Sequence, residues 1–473
     1  MKIVLASPPA DGYELGPGTP PPLGLFYIAT AAKEKLGVEI KIVDAFCEGL
    51  YAGEAASRVL SLEPDIFGIS VMSANINRGL KLLRQVKKAK PSLTTVLGGP
   101  HATLFDRLLL REIPEVDLIL RGEAEESFPE LCRRLLRWQE VTGVPGLSWR
   151  SQGEIIQGQP QVIRDLDALP FPDFTISDYR GYYSQYGYWQ LSAAGLVTSV
   201  LSSRGCPGKC TFCSRKPAEL ANWRPRSPEN VFQELRLRAQ AGYKVAVFVE
   251  ENFTVGVARL NRLCRLILQE NLKMRFGFEG FLHHLPDATL ALMKQAGFDF
   301  AFLGVESGSD PQRRRYRKLG SARAIAQGVQ RARKHHLLVY ASLITGGPGE
   351  TRDDIERTKE FLREAQPHLI DIQSLKIHPG SQLWDELVGP GEPPSLKQAD
   401  SRMISDFPGQ PDQLTLAKQA QDIYRFYLKR LWCWQNLGEL LRLLKHNPLV
   451  RLFLWRSLKK PGLILQILKT RHG

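Results

Sequence analysis

Ser202-Ser203-Arg204-Gly205-Cys206-Pro207-Gly208-Lys209-Cys210-Thr211-Phe212-Cys213-Ser214-Arg215 sets three cysteines within eight positions, separated by three residues and then by two. Thiolates at that spacing on a tight loop can hold three corners of a cubane iron–sulfur cluster and leave the fourth iron open to a small molecule. Glycine and proline around Cys206 and Cys210 favour a turn, and Phe212 offers a ring to pack beside a cluster or a base. A structural zinc loop is the competing reading. Zinc in a closed site wants four tetrahedral ligands, and no fourth Cys or His lies at useful spacing. The other cysteines, Cys47, Cys132, Cys264 and Cys433, are scattered as small buried hydrophobes are, so a single cluster is expected.

The loop follows an apolar run, Val197–Leu201, that opens a series of strand-like segments with helical spans between them: Ala246–Val249, Met274–Gly277, Phe300–Val305, Val339–Ile344 and Ile370–Leu375. Six such units predict a partial, TIM-like (β/α)6 barrel of parallel strands, whose chemistry gathers at the strand carboxyl ends. Polar and glycine-rich segments fall at those ends: Glu250-Glu251-Asn252-Phe253-Thr254, Gly304-Val305-Glu306-Ser307-Gly308-Ser309 and Thr345-Gly346-Gly347-Pro348-Gly349-Glu350-Thr351.

Cys-x3-Cys-x2-Cys with an aromatic before the third cysteine resembles the radical S-adenosylmethionine (SAM) superfamily. The resemblance implies a [4Fe-4S] cluster on Cys206, Cys210 and Cys213 whose open iron binds the amino and carboxylate groups of SAM. SAM carries an ammonium, a carboxylate, a sulfonium and a ribose diol, so its pocket should offer carboxylates, hydroxyls and bare backbone. The Gly304–Gly308 segment, Gly346 with Pro348-Gly349-Glu350-Thr351, and Ile377-His378-Pro379-Gly380-Ser381 are similar to further motifs of that family. On this basis Phe212, Glu250, Asn252, Glu306, Ser307, Gly346 and Glu350 are expected at SAM. Glu250 stands where the family usually has Asp, and Glu350 is also readable as an ordinary carboxylate at a helix N-terminus. Arg204 and Arg215 flank the cysteines as secondary candidates. The basic run Arg313–Lys318 reads as a solvated helix face, with an acidic substrate group as the alternative.

Ahead of the barrel, Lys2–Ser7, Val38–Asp44, Ile66–Met72, Thr94–Gly99 and Leu118–Arg121 are β-branched apolar runs that alternate with helical patterns at Leu23–Leu36, Arg78–Lys88 and Glu126–Trp138. The alternation predicts a doubly wound, Rossmann-like (flavodoxin-like) parallel sheet with ligands at its strand carboxyl ends. Pro21-Pro22-Leu23-Gly24-Leu25, Asp44, Gly98-Gly99-Pro100-His101-Ala102-Thr103 and Arg121-Gly122-Glu123-Ala124-Glu125 together resemble the cobalamin-binding domain found ahead of some radical SAM cores. Pro9, Asp44, Ser70, Ser73, Asn75, Gly98, Gly99, His101 and Glu123 are accordingly expected at cobalamin. A tight turn at Gly98-Gly99-Pro100 and a helix cap at Asp44 are the structural alternatives. The Asp-x-His-x-x-Gly motif of other cobalamin proteins is absent, so the resemblance implies cobalt without a protein ligand on its lower face. His101 reads as a polar contact or helix-start residue.

The expected α/β organisation is a cobalamin-binding domain over residues 1–145, a linker over 146–195, a radical SAM core over 196–400 and a basic amphipathic helical extension over 401–473. The linker holds a plausible hairpin at Gly146–Ile156, a proline strap at Asp165–Phe174 and aromatics from Tyr179 to Trp189 suited to packing or substrate contact.

At 473 residues, with 43% hydrophobic and 24% charged residues, the composition is that of a globular protein with two or three cores. The N-terminus reads directly into Lys2–Ala6 without a secretory pattern, so a reducing cytosol is the expected compartment. The net charge of +14 is concentrated late: residues 429–473 hold ten Lys/Arg against Glu439. Interleaved with Leu, Ile, Phe and Trp, these residues suit peripheral contact with an anionic membrane, or else packing on the barrel with cations exposed. They lack the stacking aromatics of a nucleic-acid groove, so no nucleic acid is expected.

The resemblance further implies an external electron donor of flavodoxin or ferredoxin type, reductive cleavage of SAM to a 5′-deoxyadenosyl radical, and methylation of an unactivated carbon of a small substrate; the apolar segments of the tail suggest that this substrate is lipid-like. Cyclisation or oxidation of a tetrapyrrole or lipid with the same cofactors is the first alternative. A non-catalytic metal- or cobalamin-binding module is the second. A methylthiotransferase acting on tRNA is disfavoured because the N-terminal half has no second three-cysteine cluster.

Overall fold

The structure is a computed structural model that describes residues 2–10, 21–178, 196–214, 218–389, 410–431 and 445–447. Two compact units divide the chain. The first comprises 1–187, 203–226 and 376–408, and the second 188–202, 227–375 and 409–473.

The first unit is built on a seven-stranded sheet in the order β2-β1-β3-β4-β5-β6-β7. Its strands are β1 (Lys2–Ser7), β2 (Glu39–Asp44), β3 (Ile66–Ser70), β4 (Thr94–Gly98), β5 (Leu118–Leu120), β6 (Leu147–Ser151) and β7 (Glu154–Gln157). The first five are parallel and near-continuously apolar, as a sheet covered on both faces requires. One apolar cluster packs Leu80, Leu83 and Val86 of the helix Ile76–Ala89 with Phe67 and Leu97, and another packs Leu25, Phe26 and Ala29 of Leu23–Leu36 with Ile3 and Leu118. Strand order reverses between β1 and β3, which opens a ligand crevice at their carboxyl ends. The expected hairpin at 146–156 forms, and its strands β6 and β7 extend the sheet antiparallel beyond β5. The proline strap is anchored as its aromatics suggest: Phe174 meets the edge of Phe26, and the Asp173 amide donates to Thr30 Oγ1 at 2.9 Å.

The second unit holds a parallel six-stranded sheet, β8 (Val197–Val200), β11 (Val245–Phe248), β12 (Arg275–Glu279), β13 (Phe298–Glu306), β14 (Leu338–Thr345) and β15 (Leu369–Ser374), arranged in chain order. This is the open, partial barrel expected. Phe248, Phe253, Phe276, Phe278 and Phe298 interlock at ring-centroid separations of 4.2–6.2 Å and are fully buried. The helix Gln413–Leu431 packs on the last two strands, where Tyr424 Oη accepts from the Ile372 amide at 3.1 Å and Tyr427 Oη donates to the Pro367 carbonyl at 3.0 Å. An edge strand is thereby covered. Among the described residues no helix is long and apolar enough to cross a membrane. Tyr179–Trp189, Arg215, Cys433 and the basic stretch 448–473 lie outside the described residues.

Candidate active site

The cysteine loop is closed at its base by a small antiparallel pair, β9 (Ser203–Arg204) and β10 (Arg224–Pro225). Gly205 bridges strand and loop at φ +76°. A Cβ there would lie 2.2 Å from the Asn222 carbonyl oxygen, so only glycine fits. The Cys206 amide donates to the Ala221 carbonyl at 3.1 Å, and that of Cys213 to the Cys210 carbonyl at 3.2 Å. Cys206 and Cys210 turn their sulfurs to the same side of the loop, since a Cβ on Gly208 would meet them at 3.3 and 3.9 Å. All three loop thiols are free of disulfides and at least partly exposed, whereas Cys47, Cys132 and Cys264 are buried. Burial pushes the Cys132 thiol up and that of Cys264 up to about 12, which disfavours the thiolate form in both. Among the described residues no three His, Cys, Asp or Glu side chains converge on a single ion. A cubane does not ask for such convergence, because each thiolate takes a different iron. The donor set fits an iron–sulfur cluster.

Around the loop the same unit supplies further anchors. Ser214 Oγ donates to the Pro379 carbonyl at 2.7 Å, and the Leu383 amide to that of Thr211 at 2.9 Å. Ser381 caps the short helix that follows, in which Trp384 is fully buried. Arg204 forms an ion pair with Glu125 at 2.5 Å and lies over the Tyr27 ring at 5.1 Å.

In the second unit Glu250, just past β11, is fully buried. The Ser202 hydroxyl donates to its Oε1, while Oε2 is buried without a hydrogen-bond partner among the described residues. Burial drives its carboxyl up to about 7 against the opposing Ser202 hydrogen bond. Asn252 is occupied locally, its Oδ1 accepting from Thr254 Oγ1 at 2.9 Å. Glu306 sits at φ +66° on a bulge at the end of β13, with Lys318 Nζ 2.7 Å from its Oε1 and both side chains buried. Ser307 Oγ accepts from the Ser309 amide at 3.1 Å. After β14, Gly346 takes φ +78° and its amide donates to Glu350 Oε2 at 2.6 Å, closing a turn ahead of the Thr351 cap. Burial lifts Glu350 to about 7 as well. Beside it, a Cβ on Gly347 would lie 2.0 Å from Tyr316 Oη and 2.3 Å from Gln312 Nε2, so polar groups crowd bare backbone at this strand end. Carboxylates, hydroxyls and glycine backbone at the ends of β11, β13 and β14 are a donor set that fits SAM.

One expectation in this region is corrected. Arg313 is buried, with its guanidinium donating to the carbonyls of Val305, Ser307, Leu319 and Gly320, so it organises backbone and is no part of a solvated face. A fork of five donors makes arginine suited to that task.

The cobalamin candidates gather at the carboxyl ends of β1 to β5. Asp44 ends β2 buried, accepting from Ser7 Oγ at 2.5 Å and from the Cys47 amide at 3.3 Å. Pro9 is buried beyond β1. Asn75 Oδ1 accepts from the Met72 amide at 2.7 Å, which fixes the turn after β3. Gly99 takes φ +94°, and a Cβ on it would lie 2.6 Å from the Val71 carbonyl and 2.7 Å from Ser70 Oγ. Gly98 faces open space except for the Leu120 carbonyl at 3.8 Å. His101 is buried in the helical turn Pro100–Leu104, with Nδ1 2.9 Å from Ser73 Oγ and its ring against Phe105. These contacts match a structural polar role. Glu123 differs from the rest: its carboxylate is gripped by Arg224 at 2.7 and 2.8 Å, by Arg204 at 3.4 Å and by the Ile163 amide at 2.7 Å. A glycine-lined, hydroxyl-bearing crevice at a switch point fits a bulky cofactor such as cobalamin. Arg224 was not singled out from sequence, and Glu125, Gly205 and Lys318 were visible only as members of longer motifs. The neighbouring acids Glu123 and Glu125, separated by one residue, were a visible signal, but Arg224 lies about a hundred positions from them.

The fold and the loop define an iron–sulfur α/β enzyme in which a partial barrel is joined to a B12-type domain. Comparison with known proteins makes this specific. A family model for the radical SAM superfamily matches residues 200–362, and one for the B12 binding domain matches residues 16–132. An uncharacterized methyltransferase of Pyrococcus horikoshii is 29% identical over 81% of this chain and 83% of its own length. The anaerobic magnesium-protoporphyrin IX monomethyl ester cyclase of a Synechocystis species is 27% identical over 98% of this chain and 88% of its own. In fold, the chain matches the radical SAM methyltransferase TsrM of Kitasatospora setae, determined with tryptophan and a SAM analogue, at a TM-score of 0.72 and 15% identity over 90% of this chain and 88% of that one. The protein is a radical SAM enzyme that also carries a B12 binding domain, similar to cobalamin-dependent radical SAM enzymes, and its cofactors are a [4Fe-4S] cluster, SAM and cobalamin.

Proposed function

We propose that this enzyme methylates an unactivated carbon of a small, lipid-like substrate, with Cys206, Cys210 and Cys213 holding the cluster. The observation that carries the reading is the presence of a three-cysteine loop and a B12-type crevice on one chain that is similar to a methyltransferase along four-fifths of its length. When bound, the cofactors supply reductive SAM cleavage and a transferable methyl group. The chain's share is positioning. The cysteine loop presents its thiolates from a glycine-fixed turn, Glu250, Glu306 and Glu350 offer carboxylates for the SAM ammonium and ribose, and Gly346 and Ser307 offer backbone and hydroxyl. Asp44, Ser70, Ser73, Gly98, Gly99 and His101 line the cobalamin crevice in this reading.

The lipid-like substrate is supported by composition alone: residues 429–473 alternate cations with large apolar side chains, which suits an anionic membrane surface. An electron donor of flavodoxin or ferredoxin type completes the scheme. Likeness to the Synechocystis cyclase across almost the whole chain favours ring closure of a tetrapyrrole as the second reading. Anaerobic turnover with methyl-deuterated SAM separates them. S-Adenosylhomocysteine beside 5′-deoxyadenosine, with label in a lipid extract, is the expected result. 5′-Deoxyadenosine with no label in any fraction would replace methyl transfer by cyclisation or oxidation.

A further inference from the structure

Four charges meet beneath the cysteine loop. Arg204 and Arg224 are opposed residues of the β9–β10 pair that closes the loop, while Glu123 and Glu125 follow β5 of the B12-type sheet. Arg224 grips Glu123 through Nη1 and Nη2 and also donates from Nη1 to the Ile163 carbonyl. Arg204 joins both carboxylates, at 3.4 Å to Glu123 and 2.5 Å to Glu125. All four side chains are at most 14% exposed. Burial alone would raise the Glu123 carboxyl, but the Arg224 hydrogen bond, the Arg204 charge and the Ile163 amide outweigh it and hold it below the ordinary carboxylate range. Two cations and two anions so paired are neutral as a group, and removing any one leaves an uncompensated buried charge.

We infer that Glu123 and Glu125 are positioning residues for the iron–sulfur cluster: they fasten the two strands of the cysteine loop to the B12-type sheet through Arg204 and Arg224. Glu123 thereby acts on the loop two residues from Cys206, and its carboxylate is already spent on arginine when cobalamin binds. The bidentate geometry is suited to fixing direction as well as distance. The inference rests on the cluster assignment and is independent of whether the reaction is methyl transfer or cyclisation.

The test compares Glu123→Gln, Glu125→Gln and Glu123→Asp with wild type in the full, anaerobically reconstituted enzyme, loaded with cobalamin for the cluster readouts and free of it for the cobalamin titration. Iron per chain, the electron paramagnetic resonance spectrum and midpoint potential of the cluster, the rate of iron loss to a chelator, and the Kd for aquacobalamin are read separately. In Glu123→Gln the Kd should stay within about twofold, while the cluster potential moves positive, because a cation is left unpaired near the loop, and iron is lost at least about tenfold faster. Glu123→Asp should recover part of both changes. A Kd weakened tenfold with cluster spectrum and potential unchanged would make Glu123 a cobalamin contact and overturn the inference, as would wild-type values in every readout. If Glu123→Gln does not fold, the reversed pair Arg204→Glu with Glu125→Arg replaces it. The double variant must then regain the iron retention that each single variant loses, and failure to regain it counts against the inference. Three-cysteine variants without any cluster would show the failure of the cluster assignment itself.

Discussion

Replacing Gly205 by alanine should loosen the cysteine loop without unfolding the protein. At φ +76° an L side chain costs about 1–2 kcal/mol in backbone strain. The new methyl would lie 2.2 Å from the Asn222 carbonyl oxygen and 2.9 Å from that of Ala221, and both obstacles are backbone, so nothing nearby can swing aside. Overpacking of that kind costs about 1–3 kcal/mol, and losing the Cys206 amide hydrogen bond to Ala221 adds about 1 kcal/mol. A local penalty of roughly 3 kcal/mol or more raises the open population of the loop by over a hundredfold, at about 1.4 kcal/mol per decade. The assay is the rate of iron transfer from reconstituted enzyme to a chelator, with the melting temperature of the cluster-free chain as control. Iron loss should accelerate by about two orders of magnitude, and the melting temperature should fall by only a few degrees. Iron retention within threefold of wild type would refute the claim that this turn holds the first thiolate.

Other outcomes follow from neighbouring features. Cys206→Ala, Cys210→Ala and Cys213→Ala should each abolish 5′-deoxyadenosine formation, whereas Cys264→Ala, a buried position remote in function, should retain it and only lower the melting temperature; cleavage of SAM at the normal rate by Cys210→Ala would sink the cluster assignment. Glu250 and Glu350 hold their protons to about 7 in the fold against an ordinary 4.5, so between those values the folded state binds more protons than the unfolded one and stability must fall as pH rises, by roughly 3 kcal/mol at most for each. Denaturant midpoints of SAM-free protein at pH 5 and pH 8 test this, with Glu250→Gln and Glu350→Gln each expected to flatten the decline; a decline unaltered in both variants would assign it to other groups. Lys318→Met leaves the Glu306 carboxylate buried and unpaired, which should cost about 3–5 kcal/mol of stability at neutral pH and much less in the double variant with Glu306→Gln.

The architecture was legible because both halves of the chain repeat a local pattern. Apolar runs alternating with helical spacing at short intervals predict parallel sheets, and the parallel strands of both large sheets fall within a residue or two of the expected runs. The three cysteines, the Gly99 turn and the Gly346–Glu350 turn were likewise visible, since spacing and glycine placement are local properties of the chain. Arg313 was misread for the same reason in reverse: a basic run looks solvated until carbonyls from Val305, Ser307, Leu319 and Gly320 are seen to surround one member of it. Family resemblance placed Glu123 at cobalamin, but its partner Arg224 is distant in sequence and its engagement depends on how the β9–β10 pair folds back. Sequence by itself determined the two sheets and the three-cysteine loop, because periodicity and spacing run along the chain, while family resemblance supplied the expected SAM and cobalamin contacts. Only the tertiary structure decided which charges are spent on one another, because an ion pair is a matter of distance and burial and carries no period.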